Sequence, residues 1–276
     1  MQSPLGVGTT VDGRRIGRWL NKFGSYWNNP TRAAVEEWLG QFAPKDKDMA
    51  ARILDAVLFF DQAHIQSKFR ALLGSLEGWH VNPAQRSGRW FFVPFTSSPG
   101  ESGDTMTHWF RSANGMTLSK YNELFCYRSD LVSKKLGPDD TVVLIDDFAG
   151  SGDQATGAWN AYFSELLAGE PRVVLMLLCA TPQAMRRIAE GTEMNLHAAH
   201  TMRDRDNLFS QACTDFSEDE KNATLRYCRY ANPTEPRGRG DCGLLLVFSY
   251  KSPNNSIPIL HSTSARWTPL FPRRSD

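Results

Sequence analysis

Thr141-Val-Val-Leu-Ile-Asp-Asp-Phe-Ala-Gly-Ser-Gly-Asp-Gln154 reads as a strand, a turn and the start of a helix. Val142 to Ile145 is a β-branched and aliphatic run of the kind that forms a buried parallel strand. It ends in adjacent carboxylates, Asp146 and Asp147, and then in a small-residue turn, Ala149-Gly-Ser-Gly152. The spacing of Ala158, Ala161, Tyr162, Glu165 and Leu166 predicts a helix over about Gln154 to Leu167. Such a turn is suited to phosphate. Glycines let the backbone approach a ligand, free amide N–H groups point at it, and the helix dipole favours negative charge. Two carboxylates just before the turn suit a diol such as ribose hydroxyls, so the stretch implies a pocket for a sugar phosphate or nucleotide.

Three families share this strand–turn–helix pocket. Gly150-Ser-Gly-Asp-Gln-Ala155 fits the glycine fingerprint of dinucleotide-binding folds. That fold also wants an acid at the end of the next strand to hold the ribose. The next strand, Val173 to Ala180, runs into Thr181-Pro182 without one. Asp146-Asp-Phe-Ala-Gly-Ser-Gly152 also resembles the turn that binds S-adenosylmethionine in DNA amino-methyltransferases. Those enzymes need a catalytic segment with paired prolines and an aromatic residue. The chain has no Pro-Pro pair, and Ser252-Pro-Asn-Asn255 and Asn232-Pro-Thr234 lack the aromatic.

The third family is the type I phosphoribosyltransferases, whose signature is an apolar strand, an acidic pair and a small-residue turn. Val142 to Gln154 resembles it at the strand, at both carboxylates and at Ser151-Gly152. It departs at Gly150 and at Gln154, where Ser or Thr is usual, and Asp153 would repel a phosphate at the turn. A wider resemblance, over roughly residues 90 to 273, is to divergent phosphoribosyltransferase-like proteins of bacterial anti-phage (conflict-system) operons, some of them retron-associated. Its further segments are Gly240-Asp-Cys-Gly-Leu-Leu-Leu-Val-Phe248, Ser252-Pro-Asn-Asn-Ser-Ile-Pro-Ile259 and Trp267-Thr-Pro-Leu-Phe-Pro-Arg273.

The resemblance implies an α/β fold: a parallel-sheet, Rossmann-like phosphoribosyltransferase core. Asp146 and Asp147 would be the catalytic pair, gripping the ribose hydroxyls of phosphoribosyl pyrophosphate or a nucleotide. Ala149, Gly150, Ser151, Gly152, Asp153 and Gln154 would bind the 5′-phosphate. Ser102-Gly103-Asp104 stands where family members place the pyrophosphate loop, with Arg111 as a nearby cation. Mg²⁺ would enter with the ligand rather than on protein ligands of its own. The implied reaction is glycosyl transfer or hydrolysis at ribose C1, with an oxocarbenium-like sugar and departing pyrophosphate. Residues alone name no general base and no acceptor. A non-catalytic nucleotide sensor and a scaffold are the competing classes, and the departures at Asp153 and Gln154 are what loss of turnover would look like. Protein partners from the same defence operon are also implied.

Bulk properties narrow the classes. Thirty-one Lys plus Arg against thirty Asp plus Glu give no single-sign field for nucleic acid or a membrane surface. The apolar run Val173–Ala180 is far short of the roughly 18–20 residues a bilayer demands. Met1-Gln-Ser-Pro-Leu-Gly6 lacks the pattern of a secretion signal. Five cysteines, with no C-x-x-C, indicate neither a disulfide framework nor a zinc site, and a reducing cytoplasm is expected.

Residues 1–80 read as an α-helical amino-terminal module and 81–276 as the α/β domain. Val35, Trp38, Leu39 and Phe42 fall on one helical face. A second stripe is Met49, Ile53, Val57 and Phe60, then His64, with Asp46 or Asp48 as cap. This module is the expected contact to other subunits. Beyond it we expect a strand at Trp90–Phe95, a Gly/Ser loop at Thr96–Asp104, helical stretches over Met116–Leu136, and strands at Arg172–Ala180, Leu196–Thr201 and Leu244–Tyr250. Arg237 and Arg239 sit in the Asn232–Gly243 loop, which would be mobile or close over substrate. His64 and His108 read as structural. His197 and His200 would face opposite sides of a strand, and Asn254-Asn255 would form a turn.

Overall fold

The computed structural model describes residues 11–96, 102–167 and 171–273. Its contacts divide the chain into two units: the described parts of 1–62 and 204–276 form one, and 63–203 forms the other. The division therefore falls at 62 and 203, rather than at the single boundary near residue 80 expected from composition. The fold is α/β with parallel sheets.

The chain opens with α1 (Gly13–Phe23), capped by the Asp12 carboxylate, and α2 (Arg32–Gly40), capped by Thr31. α3 (Lys47–Ala56) follows. The stripe read as helical through Phe60 breaks at Val57, where ψ turns to 120°. Leu58–Phe60 is instead strand β1, because these apolar residues pair with a strand from the far end of the chain. Asp46 stands at the N-cap of α3 but makes no side-chain cap bond; its carboxylate accepts from the Tyr227 hydroxyl at 2.8 Å.

The second unit starts with α4 (Gln62–Ser75), which carries His64, and continues to β2 (Trp90–Pro94). After α5 (Ser102–Ala113), the stretch expected to be helical holds two short 3₁₀ segments and the short α6 (Arg128–Leu131). β3 (Thr141–Ala149) leads into α7 (Asp153–Ala158), a π-helical turn at Trp159–Phe163 and α8 (Ser164–Leu167). β4 (Arg172–Ala180), α9 (Pro182–Gly191) and β5 (Asn195–Thr201) complete it. The strands lie in the order β2-β3-β4-β5, all parallel.

Both faces of this sheet are covered, which is why β3 and β4 read as unbroken apolar runs. Phe91 and Val93 of β2 face the layer built by Ala155, Trp159, Phe163, Ala184 and Ile188. Phe92 points the other way, onto Phe110 of α5 (ring centroids 4.8 Å) and Phe125 (5.3 Å), with Phe69 of α4 behind Phe110 (5.7 Å). Each fully buried aliphatic side chain contributes about 1.5–3 kcal/mol here. At the amino ends of the strands Arg89 grips Asp140 with two bonds, Nε to Oδ1 at 2.9 Å and Nη2 to Oδ2 at 2.6 Å. That bond holds the Asp140 carboxyl below its ordinary range and fixes β2 against β3.

The chain then returns to the first unit through α10 (Glu218–Ala231), β6 (Leu246–Phe248) and α11 (Pro258–His261). β6 pairs in parallel with β1, Leu58 opposite Leu246. The closing segment is laced to the first helices. The indoles of Trp38 and Trp267 both donate to the Ile259 carbonyl at 2.9 Å, filling both lone pairs of one acceptor. The Gln41 amide pairs with the backbone N–H and C=O of Thr268, each at 2.8 Å. Asn254 and Asn255 make more than a turn: the Asn254 carbonyl accepts from Arg239 N–H at 2.9 Å, and Asn255 Nδ2 donates to the Arg239 carbonyl at 2.8 Å. The loop bearing Arg237 and Arg239 is thereby tied down, contrary to the mobility expected of it.

His261 is 5% exposed. Its Nε2 lies 3.1 Å from the Ser256 carbonyl, which can only accept, so Nε2 carries the proton and Nδ1 accepts from the Ser262 hydroxyl. Burial pushes this imidazole down to about 4. As pH falls below about 6.5 the unfolded chain takes up a proton that the folded chain refuses until about pH 4, so stability is lost as pH falls. Urea unfolding at pH 7 and pH 5 is expected to show wild type losing about 2 kcal/mol more across that interval than His261→Gln; an equal loss in both proteins would refute the assignment.

Candidate functional site

In a parallel sheet all the strand carboxyl ends lie at one edge, the edge at which open α/β sheets bind ligands. Here Asp146, Asp147 and the turn 150–152 crown β3, next to the end of β2. The helices that follow these two strands go to opposite faces, α5 onto Phe92 and α7 onto the Ala155–Trp159 layer. Their amino ends therefore flank the acidic pair from either side.

Register places Asp146 opposite Leu177 of β4, and Pro94 of β2 opposite Ile145. β3 remains extended through Ala149, so successive side chains leave by opposite faces. The two carboxylates diverge. Asp147 is buried at 4% exposure, while Asp146 stays half-buried. Asp146 Oδ1 accepts from the Ser102 hydroxyl at 2.7 Å and from the Asp147 N–H at 2.8 Å. These two bonds fix the orientation of the one carboxylate of the pair with a solvent-facing side.

Ser102, Gly103 and Asp104 are the first turn of α5; residues 97–101 of the expected loop lie outside the described residues. A Cβ on Gly103 would sit 2.9 Å from the Phe95 carbonyl and 3.1 Å from that of Ile145. Only glycine lets the first turn of α5 rest directly on the ends of β2 and β3. Arg111 is not brought to this end. It lies nine residues on, roughly 13 Å along a helix, where it donates to the Met116 carbonyl at 2.8 Å and to Asn122, and stacks on Phe125.

The turn 150–152 is built from its neighbours as well as from itself. Gly152 has φ +84°, and its Cα side is closed by Ala184 and by Cβ of Arg187, both 3.1 Å from a Cβ that only glycine omits. Thr181 caps α9 through the Ala184 N–H and donates its own hydroxyl to the Gly150 carbonyl. Ser151 Oγ accepts from Asp153 N–H at 3.3 Å, and the Gly152 carbonyl from Thr156 N–H at 2.9 Å. Asp153 and Gln154 are exposed, and Asp153 is paired with Arg187 at 2.6 Å. Sequence reading missed Thr181 and Arg187. Thr181-Pro182 is a helix-start signal that marked the cap, but not its reach back to Gly150.

Other reactive groups lie apart from this constellation. Burial, then the negative charge of Asp147, pushes the Cys179 thiol far up, so it is no nucleophile. His108 is exposed on α5. His197 and His200 fall three apart on β5, and burial followed by the charge of Arg172 lowers His197. Among the described residues no three His, Cys, Asp or Glu side chains are grouped as a metal cage, and no helix is long and apolar enough to cross a membrane.

The α5 contact supplies a stability test. Gly103→Ala is expected to cost about 1–3 kcal/mol, since the atoms met are backbone and cannot step aside. Ser102→Ala should cost about 1 kcal/mol. Urea unfolding of both variants checks the order, and a Gly103→Ala protein as stable as wild type would rule out the close approach.

The model of the PRTase-CE family matches residues 35–273. No curated protein matches the chain in sequence. The family match begins on α2, well before the region whose resemblance was legible from motifs, and it takes in parts of both units.

Proposed function

We propose that this chain, which belongs to the PRTase-CE family and is a phosphoribosyltransferase-like protein, binds a ribose 5-phosphate ligand at the carboxyl ends of β2 and β3. The ligand is phosphoribosyl pyrophosphate or a nucleotide, and the four-stranded sheet with its flanking helices serves as a Rossmann-like phosphoribosyltransferase core. The observation that carries this reading is the Ser102–Asp146 hydrogen bond of 2.7 Å. It joins the segment expected to receive pyrophosphate to the carboxylate expected to hold the ribose.

Asp146 is the residue that meets the ribose hydroxyls, because it is the more exposed of the pair and a carboxylate accepts from a diol. Asp147, buried on the opposite face, acts as support. Its N–H orients Asp146, and its charge lies behind the strand end. The 5′-phosphate takes the first-turn amides of α7, which have no intrahelical acceptor, that of Asp153 exchanging the Ser151 hydroxyl for the ligand. Pyrophosphate takes the amino end of α5. Mg²⁺ fits this site as an ion carried on the ligand's oxygens, since Asp146 and Asp147 are too few and too divergent to cage it, and when bound it would neutralise pyrophosphate charge. Displacement at ribose C1 is then promoted by positioning and electrostatics rather than by a nucleophilic side chain. The resemblance to anti-phage phosphoribosyltransferase-like proteins supports a place as effector in such a defence system, with protein partners encoded beside it.

A nucleotide sensor is the second reading, favoured by the burial of Asp147 and by Asp153 at the phosphate turn. Titration calorimetry with phosphoribosyl pyrophosphate and Mg²⁺, together with mass spectrometry of small molecules released from the purified protein, tests both. Asp146→Asn is expected to weaken binding about 10- to 100-fold, and Asp147→Asn less. Product formed by wild type alone identifies an enzyme; ligand without product identifies a sensor. Equal binding by wild type and Asp146→Asn would overturn the site.

A further inference from the structure

We propose that Arg187 of α9 is the cation that receives the ligand's 5′-phosphate at the turn 150–152. The Asp153 carboxylate holds that place until the phosphate arrives. This inference rests on the ribose 5-phosphate reading and deepens it, by adding a specificity-determining residue from outside the signature.

The proposed pocket has a charge problem. Asp146, Asp147 and Asp153 crowd one short run of sequence, and the ligand brings further negative charge. Like charges this close oppose one another unless a cation stands between them. Backbone amides at the turn carry only partial charges. Arg111, the cation expected near the site, is committed elsewhere on α5, to the Met116 carbonyl and to Asn122.

Arg187 is placed to answer that charge. It belongs to α9, whose start is tied to the same turn: Thr181 caps the helix and donates its hydroxyl to the Gly150 carbonyl. The Arg187 Cβ stands 3.1 Å from the position a Cβ on Gly152 would occupy. Its Nε lies 2.6 Å from Asp153 Oδ1. The root of the side chain is thus fixed at Gly152 and its guanidinium at Asp153, the two residues whose backbone makes the end of the turn.

Most of the guanidinium is left over. Neither Nη donates a hydrogen bond to another of the described residues, and the side chain is 56% exposed. Arginine carries five N–H donors in a planar fork that fits two phosphate oxygens at once. A carboxylate offers a guanidinium the same paired oxygens with less charge. Asp153 therefore imitates the ligand it would exclude. On binding, Arg187 exchanges one anion for a stronger one, and Asp153 turns to water, where its 54% exposure already gives it room.

Titration calorimetry of the full chain tests this, with ribose 5-phosphate and with phosphoribosyl pyrophosphate plus Mg²⁺. Arg187→Gln, which keeps the side-chain root against Gly152, is expected to weaken both about 10-fold or more, the effect of losing charged hydrogen bonds. Arg187→Lys should recover part of the affinity. Asp153→Asn should tighten both ligands several-fold, because the guanidinium is released. Were the pair merely structural, Asp153→Asn would leave affinity unchanged or lower it, and either result overturns the exchange. Pyrophosphate alone, which lacks the 5′-phosphate, should bind wild type and Arg187→Gln alike; equal weakening of it would refute the assignment to the 5′-phosphate. Urea unfolding checks that each variant is folded. Equal affinity of wild type and Arg187→Gln for ribose 5-phosphate, with Asp146→Asn weakened, sinks this inference and leaves the pocket standing. Failure of wild type to bind either ligand removes the pocket, and Arg187's role with it.

Discussion

β3 pairs in parallel with a strand on each side, and its register decides where Asp146 stands. Val142, Val143, Leu144 and Ile145 are all fully buried, so a slip of one residue would exchange the whole apolar set between faces. Nothing in the strand itself prevents a slip of two. That is set at the ends: by the Arg89–Asp140 fork where the strand enters, and by Gly103 resting on Ile145 where it leaves. The site is therefore a consequence of how the sheet is pinned. Asp146 emerges where the pinning stops, beside the first turn of a helix that could not approach if residue 103 had a side chain.

This also explains which parts could be read without coordinates. β3, β4 and the helix after the turn were legible because burial on both faces leaves continuous apolar runs, and glycine punctuates them. β1 was not legible. Leu58-Phe59-Phe60 continues a helical stripe in sequence, and only pairing with Leu246-Val247-Phe248 makes it a strand, a partner nearly two hundred residues away. At the site, the adjacency of Asp146 and Asp147 suggested two carboxylates acting together. The pleat separates them, because β3 stays extended past the pair instead of turning at it. Ser102 was placed near the site for its family position. Its actual role, a hydroxyl donated to Asp146, depends on a helix start that composition alone reads as loop.

The helices at the start of the chain illustrate the same limit on a larger scale. Their aromatic faces are used internally, by Phe271, Trp267 and the Ile259 carbonyl in the closing segment. A boundary near residue 80 looked natural because composition changes there, yet the aromatic cluster of the first helices is completed by residues beyond 204. The family match beginning at residue 35 fits that picture: α2 and α3 complete a core that the carboxyl-terminal third leaves unfinished. Any partner meeting α1 would meet its outer face, Arg14, Arg18 and Asn21, which is exposed.

Asp153 carries the sign that a proposed phosphate turn would least favour, and its carboxylate has a partner on the neighbouring helix. The Arg187 guanidinium holds its carboxylate at 2.6 Å. The same Arg187 begins at a Cβ that closes the far side of Gly152. One residue of α9 thus both shapes the turn and pairs with the charge of Asp153. Both side chains are more than half exposed, so the pair adds at most about 1 kcal/mol to stability.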